Sequence, residues 1–212
     1  VINNTKVLPA RLYGKLATGA NVEILLLKRL DTFEWECITK PAKKLKADTE
    51  IFFSDELSAK VVGHKDEGVR IIRFFYDGIF EEILDRIGNM PLPPYITEKL
   101  EDKSRYQNVY GEIDGSAAAP TAGLHFTPDL LDKIKGIGAE ITEVLLHVGL
   151  GTFRPVKEDD ILAHKMHSEY FEVSADSAEK INKAKAEGRR VIAVGTTSVR
   201  VLESAADENG FV

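Results

Sequence analysis

Met90-Pro91-Leu92-Pro93-Pro94-Tyr95 divides this chain into two kinds of sequence. Its prolines fix φ and remove backbone donors, so the run can be neither a helix interior nor a central strand. It reads as a stiff, extended crossover between domains. Upstream, residues 7–76 read as β. Short apolar or alternating runs occupy 22–27, 33–39, 51–53, 57–62 and 69–75, with Gly19, Asp55, Gly63 and Asp66-Glu67-Gly68 as turn signals. Strands at such spacing predict a small antiparallel barrel or sandwich. Residues 79–87 then show helical periodicity and stop at Gly88. Downstream of the prolines the pattern alternates. A helix is predicted over 127–135, strands over 140–146 and 169–173, a helix capped by Ser174 running through 186 to Gly188, a strand over 190–194 and a helix over 197–206. This is α/β sequence, which places ligands at the carboxyl ends of strands.

Bulk properties exclude several classes. The 212 residues are 43% hydrophobic, enough for a real core, yet no run of about 18 apolar residues marks a transmembrane helix. No signal-peptide pattern is present. The single cysteine, Cys37, excludes an internal disulfide and a cysteine-based zinc cluster, fits a reducing compartment, and sits in an alternating run that reads as strand packing. The net charge of −6 argues against a generic polyanion binder. The charge is uneven: residues 1–86 carry 14 basic and 14 acidic side chains, and residues 87–212 carry 14 and 20. The first half also holds the local basic run Lys40, Lys43, Lys44 and Lys46, which can touch phosphates or can be a solvated loop. The chain opens inside an apolar run at Val1-Ile2, and Asn209-Gly210-Phe211-Val212 reads as a turn leading onward; both ends are expected to be cut.

Four polar loops fall where an α/β site belongs. In Ala118-Ala119-Pro120-Thr121-Ala122-Gly123-Leu124-His125-Phe126-Thr127, Thr127 is a good N-cap and Pro128 suits the first helical position. Free N–H groups beside His125 are then a natural place for an anionic group. Residues 146–156 combine His147, Gly149, Gly151 and Arg154; glycine admits close approach of the backbone, and arginine forks onto a carboxylate or phosphate. The spacing is not that of a dinucleotide fingerprint. In His164-Lys165-Met166-His167-Ser168-Glu169-Tyr170 a metal would lack a third ligand, and a His–Glu pair for proton transfer fits better. In Val194-Gly195-Thr196-Thr197-Ser198-Val199-Arg200, hydroxyl residues open a helix without the lysine of a P-loop. Each loop alone can be a capped or packed turn. Four of them in one α/β unit are better explained by a shared crevice for a small polar ligand.

These four segments resemble the S-adenosylmethionine:tRNA ribosyltransferase-isomerases of queuosine biosynthesis, with weaker matches at Asn4-Thr5-Lys6-Val7-Leu8-Pro9-Ala10-Arg11-Leu12 and across the proline run. The resemblance implies an α/β barrel-like domain interrupted by an inserted antiparallel β-barrel. In this chain that places the start of the α/β domain at 1–8, the inserted barrel at 9–86, the crossover at 87–97 and the α/β catalytic domain at 98–212. It further implies transfer and isomerisation of the ribosyl part of S-adenosylmethionine onto 7-aminomethyl-7-deazaguanine at the wobble position of tRNA. The product is epoxyqueuosine, with adenine and methionine released. S-adenosylmethionine is then a substrate, and no cofactor or metal is expected. The family extends further at both ends, so a truncated chain is expected here.

Chemistry type and position suggest His125, His147 and His167 for proton transfer with Glu169 orienting or assisting. Arg154 and Arg200 are candidates for the methionine carboxylate or a tRNA phosphate. Thr121, Thr196, Thr197 and Ser198 are candidates for ribose or backbone oxygens, and Gly123, Gly149 and Gly151 for close approach to substrate. Lys40, Lys43, Lys44, Lys46 and Arg105 are candidates for phosphates, and Tyr95, Tyr106 and Tyr110 for stacking on an unpaired base. The expected partners are tRNA and S-adenosylmethionine, with no membrane; the expected state is a cytoplasmic monomer. The alternatives are a non-catalytic RNA-binding module and a transferase or lyase acting on a free nucleoside.

Overall fold

The computed structural model describes residues 1–42, 45–65, 68–93, 95–96, 98, 100–149, 160 and 166–212. They form two compact units: Leu8–Leu92, and Val1–Val7 together with Pro93–Val212.

The first unit is the antiparallel barrel. Its strands are β3 (Arg11–Leu16), β4 (Asn21–Arg29), β5 (Glu34–Lys40), β6 (Glu50–Ser54), β7 (Leu57–His64) and β8 (Val69–Phe75), closed in the order β3-β4-β5-β8-β7-β6. Closure is made by β3 on β6, with Lys15 opposite Phe52 and Leu16 opposite Ile51. Alternation decides which side chains go inside. Along β5, Trp35, Cys37 and Thr39 are buried while Glu34, Glu36 and Ile38 are only partly so. Leu12, Ile24, Leu26, Ile51, Val61, Ile72 and Phe74 complete the interior. A short helix, α1 (Phe80–Ile87), adds Phe80, Ile83 and Leu84 to this core. The Phe80 ring lies 5.2 Å from Phe74, 5.8 Å from Trp35 and 4.9 Å from Tyr76, centroid to centroid. Burial pushes the Cys37 thiol up, as expected of a packed cysteine.

The second unit is α/β. Strand β1 (Ile2–Asn3) runs parallel to β10 (Glu143–Leu146), which pairs antiparallel with β11 (Phe171–Glu172). Strand β2 (Thr5–Val7) runs parallel to β9 (Ile113–Ser116). Helices α2 (Pro128–Gly136), α3 (Ala175–Ala186) and α4 (Gly195–Ala205) complete it. The core gathers Ala118, Val144, Leu146, Val148, Ile181 and Val201. Among the described residues no helix is long and apolar enough to cross a membrane.

Two details differ from the sequence expectation. Residues 190–194 form no strand. Among the described residues their only neighbour in register is Val1, whose amino group donates to the Ile192 carbonyl at 2.8 Å and whose carbonyl accepts from Val194 N–H at 2.9 Å. Two bonds to one residue make no ladder. Helix α4 also begins at Gly195, with Val194 as an N-cap that contributes no side-chain bond. Thr196 and Thr197 therefore lie inside the first turn and cap nothing.

Candidate functional site

The carboxyl end of β10 is held from β1. Asn3, 1% exposed, closes on Leu146 from both sides. Leu146 N–H donates to Asn3 Oδ1, and Asn3 Nδ2 donates to the Leu146 carbonyl, each at 3.0 Å. Asn3 Oδ1 also accepts Thr5 N–H at 3.2 Å. This clasp sets the backbone one residue before His147.

His147 is anchored by a chain of hydroxyls. Its Nδ1 lies 2.9 Å from Thr5 Oγ1, which lies 2.8 Å from Ser116 Oγ. Ser116 Oγ in turn accepts Val148 N–H at 2.8 Å. If Ser116 donates to Thr5 and Thr5 to Nδ1, both hydroxyl hydrogens are used and the ring hydrogen sits on Nε2. If the chain reverses, Nδ1–H donates to Thr5, Thr5 donates to Ser116, and Nε2 is left with a free lone pair. The ring stacks on Tyr170 at 5.7 Å and 24°, and the His147 N–H donates to the Tyr170 carbonyl at 3.0 Å. The imidazole also lies against Gly115, where a Cβ would come within 2.5 Å of the ring at a φ of +151°; only glycine fits. Burial pushes the His147 pKa below its ordinary value, with Asp114 pulling weakly the other way, so the ring is neutral at pH 7.

A second cluster adjoins it through Gly149. The Glu169 carboxylate is only 5% exposed. Its Oε1 accepts Gly149 N–H at 2.6 Å, and its Oε2 accepts from Arg200 Nη1 of α4. Arg200 Nη2 donates to the His167 carbonyl. His167 Nε2 lies 3.2 Å from both Glu169 Oε1 and Arg200 Nη1. One nitrogen cannot donate to a carboxylate and accept from a guanidinium together, so the tautomer of the His167 ring decides which of the two it bonds. Glu169, His167 and Arg200 thus form one unit that ties the segment before β11 to α4 and to the exit of β10.

The other expected residues are placed as follows. His125 and Thr121 are exposed on a 3₁₀ turn over Thr121–His125. Gly123 of that turn is buried, and a Cβ there would come within 2.1 Å of the Tyr110 hydroxyl, so it serves close packing. The turn adjoins the start of α4, since a Cβ on Gly195 would stand 3.0 Å from Ala122 Cβ. Thr196 is exposed; the Thr197 and Ser198 hydroxyls are enclosed and have no hydrogen-bond partner among the described residues. Lys40, Lys46, Arg105 and Tyr95 are exposed. Tyr106 and Tyr110 are 4% and 8% exposed, so neither can stack on a base as expected. The ring of Tyr110 packs edge-on against Phe126 instead, and burial raises its hydroxyl to about 12. Lys43, Lys44, Gly151, Arg154 and His164 lie outside the described residues. No group of three or more His, Cys, Asp or Glu among the described residues is arranged to hold a metal ion. Asn3, Thr5, Gly115, Ser116 and Tyr170 were not foreseen as parts of the site. Thr5 lay within a matched motif, which was the only signal for it.

A cavity of about 350 Å³ lies elsewhere in the α/β unit, lined by Asn4, Thr142, Glu143, Glu172, Asp176 and Lys180 among others. None of the His147 or Glu169 cluster residues lines it, so the site is assigned from geometry and chemistry.

Known proteins agree along the whole chain. A protein named S-adenosylmethionine:tRNA ribosyltransferase-isomerase from Clostridioides difficile (strain 630) is 60% identical over 212 residues, 99% of this chain and 62% of that protein. One of the same name from Desulfitobacterium hafniense is 59% identical over 214 residues, 100% of this chain and 63% of that protein. The crystal structure of an S-adenosylmethionine tRNA ribosyltransferase from Thermotoga maritima is 33% identical, over 98% of this chain and 55% of that chain, with a TM-score of 0.33. The chain spans about three-fifths of the length of the curated relatives it matches. The family model described as queuosine biosynthesis protein matches residues 1–211. With that match over nearly every residue, this chain belongs to the queuosine biosynthesis protein family.

Proposed function

We propose that this chain is part of an enzyme that transfers and isomerises the ribosyl group of S-adenosylmethionine onto 7-aminomethyl-7-deazaguanine at the wobble position of tRNA. Epoxyqueuosine forms, and adenine and methionine leave. S-adenosylmethionine is consumed as a substrate, and the reading calls for no cofactor. The protein acts as a monomer in the cytoplasm. The observation that carries this reading is the convergence, at the end of β10, of the segments around His147, His167–Glu169 and Arg200, in a chain that matches the family throughout.

The chemistry requires a base. The sulfonium makes the ribose 5′ carbon acidic, and removal of its proton gives an ylide. The ribosyl carbons are then joined to the aminomethyl nitrogen, which loses its protons, while adenine leaves from the 1′ carbon and methionine from the 5′ carbon. His147 suits proton transfer. Burial keeps it neutral near pH 7. The Thr5–Ser116 chain can reverse, so Nδ1 can donate while Nε2 takes a proton. Arg200 acts on the site by positioning: its guanidinium is engaged with Glu169 and the His167 carbonyl. His125, exposed on its turn, is the second candidate for proton transfer.

The test uses full-length protein, tRNA carrying 7-aminomethyl-7-deazaguanine, and S-adenosylmethionine, with adenine release and nucleoside mass followed together. Adenine release with conversion to epoxyqueuosine is expected. His147→Ala is expected to lower turnover by about 10²- to 10⁴-fold with the fold intact. Undiminished turnover in that variant would remove His147 from the chemistry, and turnover on a free nucleoside would remove tRNA from it.

A further inference from the structure

The barrel carries a concave surface of its own. A groove of about 700 Å³ opens between β3, β4 and β6, and Tyr13, Lys15, Asn21, Glu23, Lys40 and Phe52 stand around it. Strand register arranges them in two rows on the outer face. Phe52 lies opposite Lys15, which lies opposite Asn21; Tyr13 lies opposite Glu23, which lies opposite Lys40. The intervening residues Leu12, Val22 and Ile51 point into the core and are buried. Tyr13 and Phe52 are therefore outward by register, and they are 56% and 48% exposed.

Charge gives the groove a sign. Glu23 is neutralised by Arg11, whose Nε lies 3.2 Å away. Lys15 and Lys40 have no carboxylate partner among the described residues. A positive rim thus survives on a chain of net charge −6, next to two exposed aromatic faces and one amide. The aromatics sit on neighbouring strands, one step apart along the strand, so their Cα atoms are roughly 8 Å apart. That distance suits bases splayed away from one another, which is how unpaired RNA loops present themselves to proteins. A rigid duplex would offer phosphates to the lysines and nothing flat to the rings.

We propose that this groove binds an unpaired stretch of RNA, with bases stacked on Tyr13 and Phe52 and phosphates at Lys15 and Lys40. The assignment rests on the proposed function in one respect, that the strand belongs to the tRNA substrate. It moves the RNA contact of the barrel from the lysine run as a whole to a surface of which Lys40 is one edge.

The experiment uses full-length protein and a fluorescently labelled RNA anticodon stem-loop, with a duplex RNA of equal length as competitor. Tyr13→Ala and Phe52→Ala are each expected to weaken binding by about 5- to 150-fold, as loss of one stacked base does. Lys15→Gln and Lys40→Gln are each expected to flatten the slope of log affinity against log salt by about 0.7. Lys28→Gln, at the exposed end of β4 outside the groove, serves as the control. All these side chains are exposed, so circular dichroism and melting should stay as in the parent. Wild-type affinity in both aromatic variants, absence of RNA binding by the parent, or preference for the duplex would each overturn the proposal. Adenine release is measured in parallel to separate the two readings. A raised KM for tRNA with kcat retained supports both. Release that the variants leave untouched overturns the groove alone. RNA binding that depends on Tyr13 and Phe52, without any adenine release, upholds the groove and overturns the activity.

Discussion

Asn3 satisfies both polar groups of the Leu146 residue with one amide. Replacing it by leucine keeps the volume and leaves that N–H and C=O buried and unpaired, at about 1–3 kcal/mol each. Asn3→Leu is therefore expected to lower the denaturation midpoint clearly, and urea titration of the parent and variant checks it. His147 gives a pH signature. Its pKa is lowered in the folded state by burial, so the unfolded chain binds the proton more readily. The contribution of the neutral ring is complete above the unfolded value of about 6.5 and is lost as pH falls from there through the folded value. His147→Gln should remove that part of the acid sensitivity, seen by comparing stability of both proteins at about pH 7.5 and 5.5. Equal losses in both proteins would disprove the assignment. At this scale the sequence was partly legible. A histidine between a strand and two glycines stands out from its neighbours. Thr5 does not, because its role comes from pairing with a ring 142 residues away, and nothing local records that.

Caps and periodicity were the most readable features of the elements. Ser174 caps α3: its Oγ accepts Ser177 N–H at 3.2 Å, as the sequence predicted. Ser174→Ala should cost about 1 kcal/mol, measured by thermal or chemical denaturation. The Ser177 hydroxyl also donates to the Glu143 carbonyl at 2.7 Å and accepts from Thr142, so α3 is tied to the start of β10. Ser177→Ala is therefore expected to cost more than Ser174→Ala. The barrel strands were legible because alternation and turn residues are local properties. Residues 190–194 misled for the converse reason: the run is apolar and branched, but strand formation requires a neighbour, and among the described residues only Val1 is in place. The start of α4 was misplaced by two residues because Thr197 looks like a cap. Its hydroxyl instead lies enclosed, and the helix has already begun.

For the molecule as a whole, the change of unit between Leu92 and Pro93 falls within the proline run, while the discontinuity of the α/β unit was not written in any local pattern. The barrel spans Leu8–Leu92, and its ends are pinned together: Arg11 N–H donates to the Asn89 carbonyl at 3.0 Å and Asn89 N–H to the Arg11 carbonyl at 2.8 Å. A fragment of residues 8–92 is expected to fold alone, with dispersed amide resonances in an NMR spectrum and one cooperative melt. A fragment of residues 93–212 lacks β1 and β2, the parallel partners of β10 and β9, and with them Asn3 and Thr5. It is expected to give a poorly dispersed spectrum, recovered in part by adding a peptide of residues 1–7.

The same arrangement imposes an order on biosynthesis. Val1–Val7 is made before the strands that receive it, and Thr5 precedes His147 by 142 residues. At ribosomal rates of about 5–20 residues per second, this short segment waits roughly 10–30 s for its partners. During that interval the barrel, whose contacts are all nearer in sequence, can already close. Strands β1 and β2 are two and three residues long, too short to offer neighbouring nascent chains a template. The brevity of β1 and β2 thus guards the polypeptide against mispairing while it is still on the ribosome.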